Sequence, residues 1–251
     1  MGFNVRYILT LLFLFSLPAQ ANLKDSIEKV KPAVVAIGIY SPLASPRVKL
    51  VGTGFAVDDG LQIVTNYHVI STALNAKKNE SYVVLSGKAD AVKIHPVLST
   101  RTDAAYDLAV LSIDSKLPAV QIDHGALIAE GTEIAFTGFP ITSVLGLYPA
   151  THKGIISAQT PVVIPADNSG QLQAAALRKL KQPYLVYQLD ATAYPGNSGS
   201  PLYKADTAEV IGIINKVFIK STREAVLSDP SAISYAIPIQ YVKPLLKHNN
   251  Q

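Results

Sequence analysis

The chain has 251 residues, 22 Lys and Arg against 18 Asp and Glu, five His and no Cys. A formal charge of +4 without a basic stripe excludes nucleic-acid recognition by charge. The lack of cysteine excludes a thiolate nucleophile, an iron–sulfur cluster and disulfides; no two histidines stand at a ligand spacing, so neither metal nor cofactor is expected.

Near its start the chain carries Arg6, an apolar run over 7–17 and "AQA" at 19–21, the pattern of a signal peptide cleaved near Ala21. Pro18 stops that run short of the roughly 20 residues a membrane span needs. The expectation is therefore export to the periplasm or beyond, with no stable membrane association after cleavage. Residues 26–31 read as a short amphipathic turn ended by Pro32. Strand-like runs follow: "AVVAIGIY" (33–40), "GTGFAV" (52–57), "LQIVTNY" (61–67), "YVVLSG" (82–87), "AVKIHPV" (91–97) and "LAVLSI" (108–113). After a softer connection over 115–131 come "EIAFTGF" (133–139), "HKGIISA" (152–158), "LVYQLDA" (185–191), "EVIGIINKVFI" (209–219) and "ISYAIPI" (233–239). Short strands at this spacing predict an all-β chain, and their two groups fit two small barrels, about 33–118 and 131–240, better than one sandwich. An insertion at 159–184 carries a helical pattern over 169–183, and 241–248 reads as a short terminal helix.

"YPGNSGSP" (194–201) raises the question of chemistry, because Ser198 stands between Asn197 and Gly199 on tight backbone. It is a surface turn or a loop that presents a nucleophile. A serine hydroxyl needs a base. The G-x-S-x-G elbow fails, because Ser200 occupies its last position and only His248 lies downstream. Upstream, His95 precedes Pro96, His124 lies in a polar connection, and His152 is expected to be exposed at a strand start. His68, at the end of "IVTNYHVI", is the best-held base. Asp107, where a loop enters "DLAVL", is the preferred acid, with Asp103 the fallback; Asp58, Asp59, Asp90 and Asp114 read as turn residues. The order His68, Asp107, Ser198 is that of chymotrypsin-type proteases. N–H donors aimed at a developing oxyanion contribute about 3 kcal/mol each. Gly196, Asn197 and Ser198 would line that hole, with the N–H groups of Gly196 and Ser198 the natural pair.

Together "GTGF", "TNYHV", "DLAVL", "GIIS", "LDA" and "PGNSGSPL" resemble trypsin-like serine proteases of the chymotrypsin clan, more narrowly the bacterial HtrA/Deg branch, over about 33–240. The resemblance implies two perpendicular six-stranded antiparallel barrels with a cleft between them and short terminal helices, the protease domain running over 22–251. It places His68 and Asp107 on the first barrel and Ser198 on the second. Ser200 departs from the usual G-N-S-G-G and matches glutamyl endopeptidases, but the histidine those enzymes keep after "IGI" is absent here. Thr192, six residues before Ser198, stands where trypsins hold an aspartate, which argues against a basic P1 residue. An S1 pocket of Thr192, Ala193, Ile214, Asn215 and Val217 predicts small or aliphatic P1 residues. HtrA relatives carry PDZ domains that this sequence does not show, and their trimers are built through N-terminal segments; monomer and trimer both stay open.

The expected function is an exported serine endopeptidase acting on proteins or peptides through an acyl-enzyme. The alternative is a catalytically weak relative that binds partners or unfolded segments along the cleft. The insertion reads as a surface loop or as a gate beside the cleft.

Overall fold

The structure, a computed structural model, describes residues 22–88, 91–140, 146–162, 184–215 and 233–247. The leader 1–21, Asp90, the helical pattern at 169–183, Val217 and His248 lie outside the described residues. The chain enters through α1 (Leu23–Val30), which starts earlier than expected because Asn22 caps it, its side chain accepting the Lys24 N–H at 3.3 Å. Pro32 then sits in a single 3-10 turn that leads straight into β1 (Val34–Tyr40). No described helix is long and apolar enough to cross a membrane.

The first half folds into one curled antiparallel sheet. Its strands are β1, β2 (Val48–Val57), β3 (Gln62–Thr65), β4 (Ser81–Ser86), β5 (Lys93–Pro96), β6 (Ser99–Asp103) and β7 (Leu108–Ser112). Their order is β5-β4-β1-β2-β3-β7-β6. The two edge strands, β5 and β6, are consecutive in the chain. Between them the N–H of Val97 reaches Tyr82 O at 3.4 Å and that of Leu98 reaches Ser112 O at 2.8 Å. One bent segment thus serves both edges, and the sheet curls round without a last ladder. The expected six-stranded first barrel is met in this form, with one strand split by a corner.

The second half is a closed barrel of β8 (Glu133–Gly138), β9 (Ala150–Pro161), β10 (Leu185–Asp190), β11 (Pro201–Lys204), β12 (Val210–Ile214) and β13 (Ile233–Pro238). Its order is β10-β13-β12-β11-β8-β9. Closure removes free edges, which a sheet would otherwise expose to pairing with other chains. The chain returns through a 3-10 turn to α2 (Lys243–Leu246), a shorter terminal helix than the sequence suggests, and α2 packs on β6 and β7 of the first half.

Each half has its own apolar core, one built on Val35, Ile37, Ile63 and Leu111, the other on Phe136, Tyr187, Leu189 and Ile214. A third cluster spans the seam, joining Val34, Phe55 and Leu108 to Phe139, Tyr203 and Ile213. A fully buried Phe, such as Phe55 or Phe139, contributes about 1.5–3 kcal/mol. Burial on both sides of the seam holds the curled sheet and the closed barrel at fixed spacing, so a site can be divided between them.

Candidate active site

β3 delivers the first side chains. It ends at Thr65; Asn66 is buried, and a 3-10 turn over Tyr67–Ile70 carries His68. Asp107 meets this turn from the start of β7. Its Oδ2 lies 2.7 Å from His68 Nδ1 and its Oδ1 accepts the His68 backbone N–H at 2.8 Å. Its carbonyl accepts the Tyr67 N–H and the Asn66 Nδ2–H, both at 3.1 Å. A carboxylate can only accept, so the imidazole proton stays on Nδ1 and the Nε2 lone pair faces away, free to act as a base. Asp107 has φ +55°, a left-handed conformation costing about 1–2 kcal/mol in a non-glycine residue. Four hydrogen bonds over-determine it. Asp103 does other work: its Oδ1 caps the preceding turn, accepting the N–H groups of Ala105 and Tyr106. Among the two acids weighed from sequence, Asp107 is the one on the imidazole.

The second barrel delivers Ser198 on two turns placed back to back. The Asn197 N–H reaches Tyr194 O at 3.0 Å across Pro195 and Gly196, and the Ser200 N–H reaches Asn197 O at 3.0 Å across Ser198 and Gly199. Gly196 has φ +101° and Gly199 φ +87°, the third-position conformation of a type II turn, which glycine adopts without strain. Asn197 is the shared corner. Its N–H is committed to Tyr194 O; of the three residues expected to line an oxyanion hole, Gly196 and Ser198 have N–H groups free of any described hydrogen bond. The far end of the loop is tied to β12, with Gly199 N–H on Ile214 O and Ile214 N–H on Ser200 O, each at 2.9 Å.

The two halves meet closely here. A Cβ on Gly52 would stand 2.8 Å from the Val69 side chain and 3.2 Å from Ser198 O. Only a glycine's width of strand therefore separates the residue after His68 from the backbone of Ser198. No described hydrogen bond joins Ser198 Oγ to the imidazole; in enzymes without substrate such contacts are often long and tighten on binding.

Of the residues expected from sequence to form an S1 pocket, Ala193 and Ile214 are buried in one apolar cluster with Ile156 and Ala191. Thr192 is half-buried between Ala191 and Ala193, and Ser234 staples this stretch, donating to Ala191 O and accepting the Ala193 N–H. Asn215 closes the β12 end with its N–H on Tyr235 O, and Val217 is outside the described residues.

His152 corrects its expectation of exposure: it is half-buried, stacked on Phe136 at 4.9 Å and tilted against Tyr194 at 5.6 Å, with Nε2 buried and without a hydrogen-bond partner among the described residues. Burial holds its pKa below the ordinary value near 6.5. The missed signal is spacing, since His152 lies opposite Phe136 in the β8–β9 register. His95 is also kept low by burial, against the pull of Asp114, and pairs with Ser86 Oγ. Among the described residues no cluster of three His, Asp or Glu could hold a metal ion.

With the geometry in place, the likenesses to known proteins are specific. The model of the trypsin-like peptidase domain matches residues 52–213. The chain is 31% identical to the serine protease HTRA1A of Danio rerio over 88% of its own length and 40% of that protein's. It is 27% identical to a probable periplasmic serine endoprotease, DegP-like, of Rickettsia conorii over 92% of its length and 39% of that protein's. It thus spans about 40% of the length of these relatives. Among solved structures, a serine endoprotease from Yersinia pestis superposes with a TM-score of 0.62 at 26% identity, covering 90% of this chain and 65% of that one. The HtrA-type protease AlgW with a tripeptide gives 0.64 at 25%, covering 90% and 62%.

Proposed function

The chain belongs to the trypsin-like peptidase family, and from that premise we propose that it is a serine endopeptidase in which Ser198 attacks, His68 is the base and Asp107 orients it. The observation that carries this reading is the double grip of Asp107 on His68, ring and backbone together. In the reaction His68 Nε2 takes the Ser198 proton as Oγ attacks the peptide carbonyl, and Asp107 stabilises the imidazolium. The N–H groups of Gly196 and Ser198 receive the negative charge that builds on the carbonyl oxygen. His68 returns the proton to the leaving amine, and water then opens the acyl-enzyme by the same route.

The burial of Ala193 and Ile214 in one apolar cluster supports a pocket for small or aliphatic P1 residues, with Thr192 offering no buried charge for Lys or Arg. The 1–21 pattern and the likeness to the probable periplasmic Rickettsia conorii relative support export, with 22–251 as the working unit.

The test is labelling with a fluorophosphonate in the unsubstituted chain, Ser198→Ala and His68→Ala. Labelling is expected only in the first. Persistent labelling of Ser198→Ala sinks the mechanism, and a folded chain that never labels favours the weak, partner-binding alternative.

A further inference from the structure

The division of the site raises a mechanical problem: base and nucleophile stand on different barrels, and something must hold them in register. We infer that Thr53, on β2 of the first half, is the positioning residue that holds the nucleophile loop of the second barrel in register with His68, an inference that rests on the serine-peptidase reading above.

Thr53 is fully buried, and its N–H and its hydroxyl are engaged across the seam. Its N–H donates to Ser198 O at 2.9 Å. Its Oγ1 accepts the Phe139 N–H at 3.0 Å and donates to Gly196 O at 2.7 Å. A hydroxyl has one proton, and the Phe139 N–H already occupies an acceptor site, so the bond to Gly196 fixes the direction of that proton. Thr53 O accepts from Thr65 Oγ1 at 2.7 Å. Thr65 ends β3, three residues before His68.

A continuous path therefore runs from the strand carrying the base, through Thr65 and Thr53, to both sides of the nucleophile. It fixes the carbonyls of Gly196 and Ser198, the two residues whose N–H groups are free. The fit is tight enough to exclude side chains: a Cβ on Gly199 would lie 2.0 Å from Thr53 O and 2.4 Å from Thr65 Oγ1. Phe139 follows β8, so the same hydroxyl also anchors the second barrel's wall. Without it, Gly196 O and the Phe139 N–H lose a buried partner while the apolar contacts of the seam persist. The sequence hides this role, since Thr in "GTGF" reads as one more strand residue between glycines.

Thr53→Val keeps the shape and removes the hydroxyl; Thr53→Ser keeps the hydroxyl and removes the methyl. Peptide hydrolysis and fluorophosphonate labelling of the full chain are measured per folded molecule. Thr53→Val is expected to lower kcat and the labelling rate by about 10- to 100-fold with KM within about threefold, since a small misplacement of reacting groups has effects of that order. Thr53→Ser is expected to restore most of the rate. If Thr53→Val does not fold, Thr53→Ala takes its place in the same comparison. Unchanged rates without the hydroxyl, or Thr53→Ser as slow as Thr53→Val, overturn the inference and leave the peptidase reading intact. Failure of the unsubstituted chain to label overturns both.

Discussion

The two barrels hold their parts of the site by different means. In the first, side chains do the holding: one carboxylate grips one imidazole and the backbone beneath it. In the second, backbone does it: two turns with glycines at positive φ shape the loop, and the bond that closes each turn runs from backbone N–H to backbone carbonyl. A side-chain device fails by changing one functional group while the fold survives. A backbone device fails by adding one atom, and the loop is lost with it.

The largest expected effect tests the first device. Asp107→Asn keeps the size of the side chain but replaces one acceptor oxygen with a donor, which favours the wrong imidazole tautomer. A loss of about 10^4 in kcat is expected, the magnitude of the serine-protease template, with KM little changed and cooperative unfolding preserved. A fall of less than tenfold would mean that the grip on His68 is not part of the chemistry.

The second device is tested by two glycines that share a conformation but not a neighbourhood. Gly199 and Gly131 have φ +87° and +82°, yet a Cβ on Gly131 meets nothing within 4 Å, while one on Gly199 meets Thr53 O at 2.0 Å. Gly131→Ala should therefore show only the conformational penalty, about 1 kcal/mol. Gly199→Ala adds a backbone clash and should exceed about 3 kcal/mol. Urea unfolding midpoints separate the two, and equal shifts would show that space around the loop does not constrain it.

The same contrast explains what the sequence revealed. Strands with apolar runs were legible because burial imposes period and composition on them, and two were not. β6 reads Ser-Thr-Arg-Thr-Asp, without an apolar residue, and is held by its ladder to β7 rather than by a buried face. β11 is four residues long and opens on the proline that ends the Ser198 loop. His68 and Asp107 were picked out because acid–base chemistry restricts residue type. The commitment of the Asn197 N–H was not, since any residue there has an N–H, and only the turn geometry decides where it points. His152 was misread because its surroundings come from β8 and the Tyr194 loop, remote in sequence.

Ser200 sharpens the second device further. Its Oγ is fully buried without a hydrogen-bond partner among the described residues and lies 2.0 Å from where a Cβ on Gly138 would stand. The hydroxyl fills space that a glycine leaves on β8 but contributes no described hydrogen bond. Removing an unsatisfied buried hydroxyl relieves a penalty of about 1 kcal/mol. Ser200→Ala is expected to raise Tm by about 2–4 °C with kcat within about threefold. A lower Tm would show that this hydroxyl is bonded and belongs to the loop's scaffold.

The smallest effect compares the histidines of the two barrels. His68 has a carboxylate partner, whereas His152 lies against ring faces, with no acid on its nitrogens among the described hydrogen bonds and ion pairs. Burial depresses the His152 pKa, so as pH falls through about 6.5 the unfolded chain takes up a proton that the folded chain refuses. The unfolded state then binds more protons, and stability must decline as pH drops from about 7 towards the depressed folded value. His95, lowered mainly by burial, acts with the same sign. His152→Phe keeps a ring against Phe136 and removes the titration. Half-exposure limits the effect, so the fall in Tm between pH 7.5 and 5 should shrink by about 1–2 °C, with the remainder carried by His95. Identical slopes in the two proteins would mean that the imidazole stacked on Phe136 takes up its proton in the folded chain as readily as in the unfolded one.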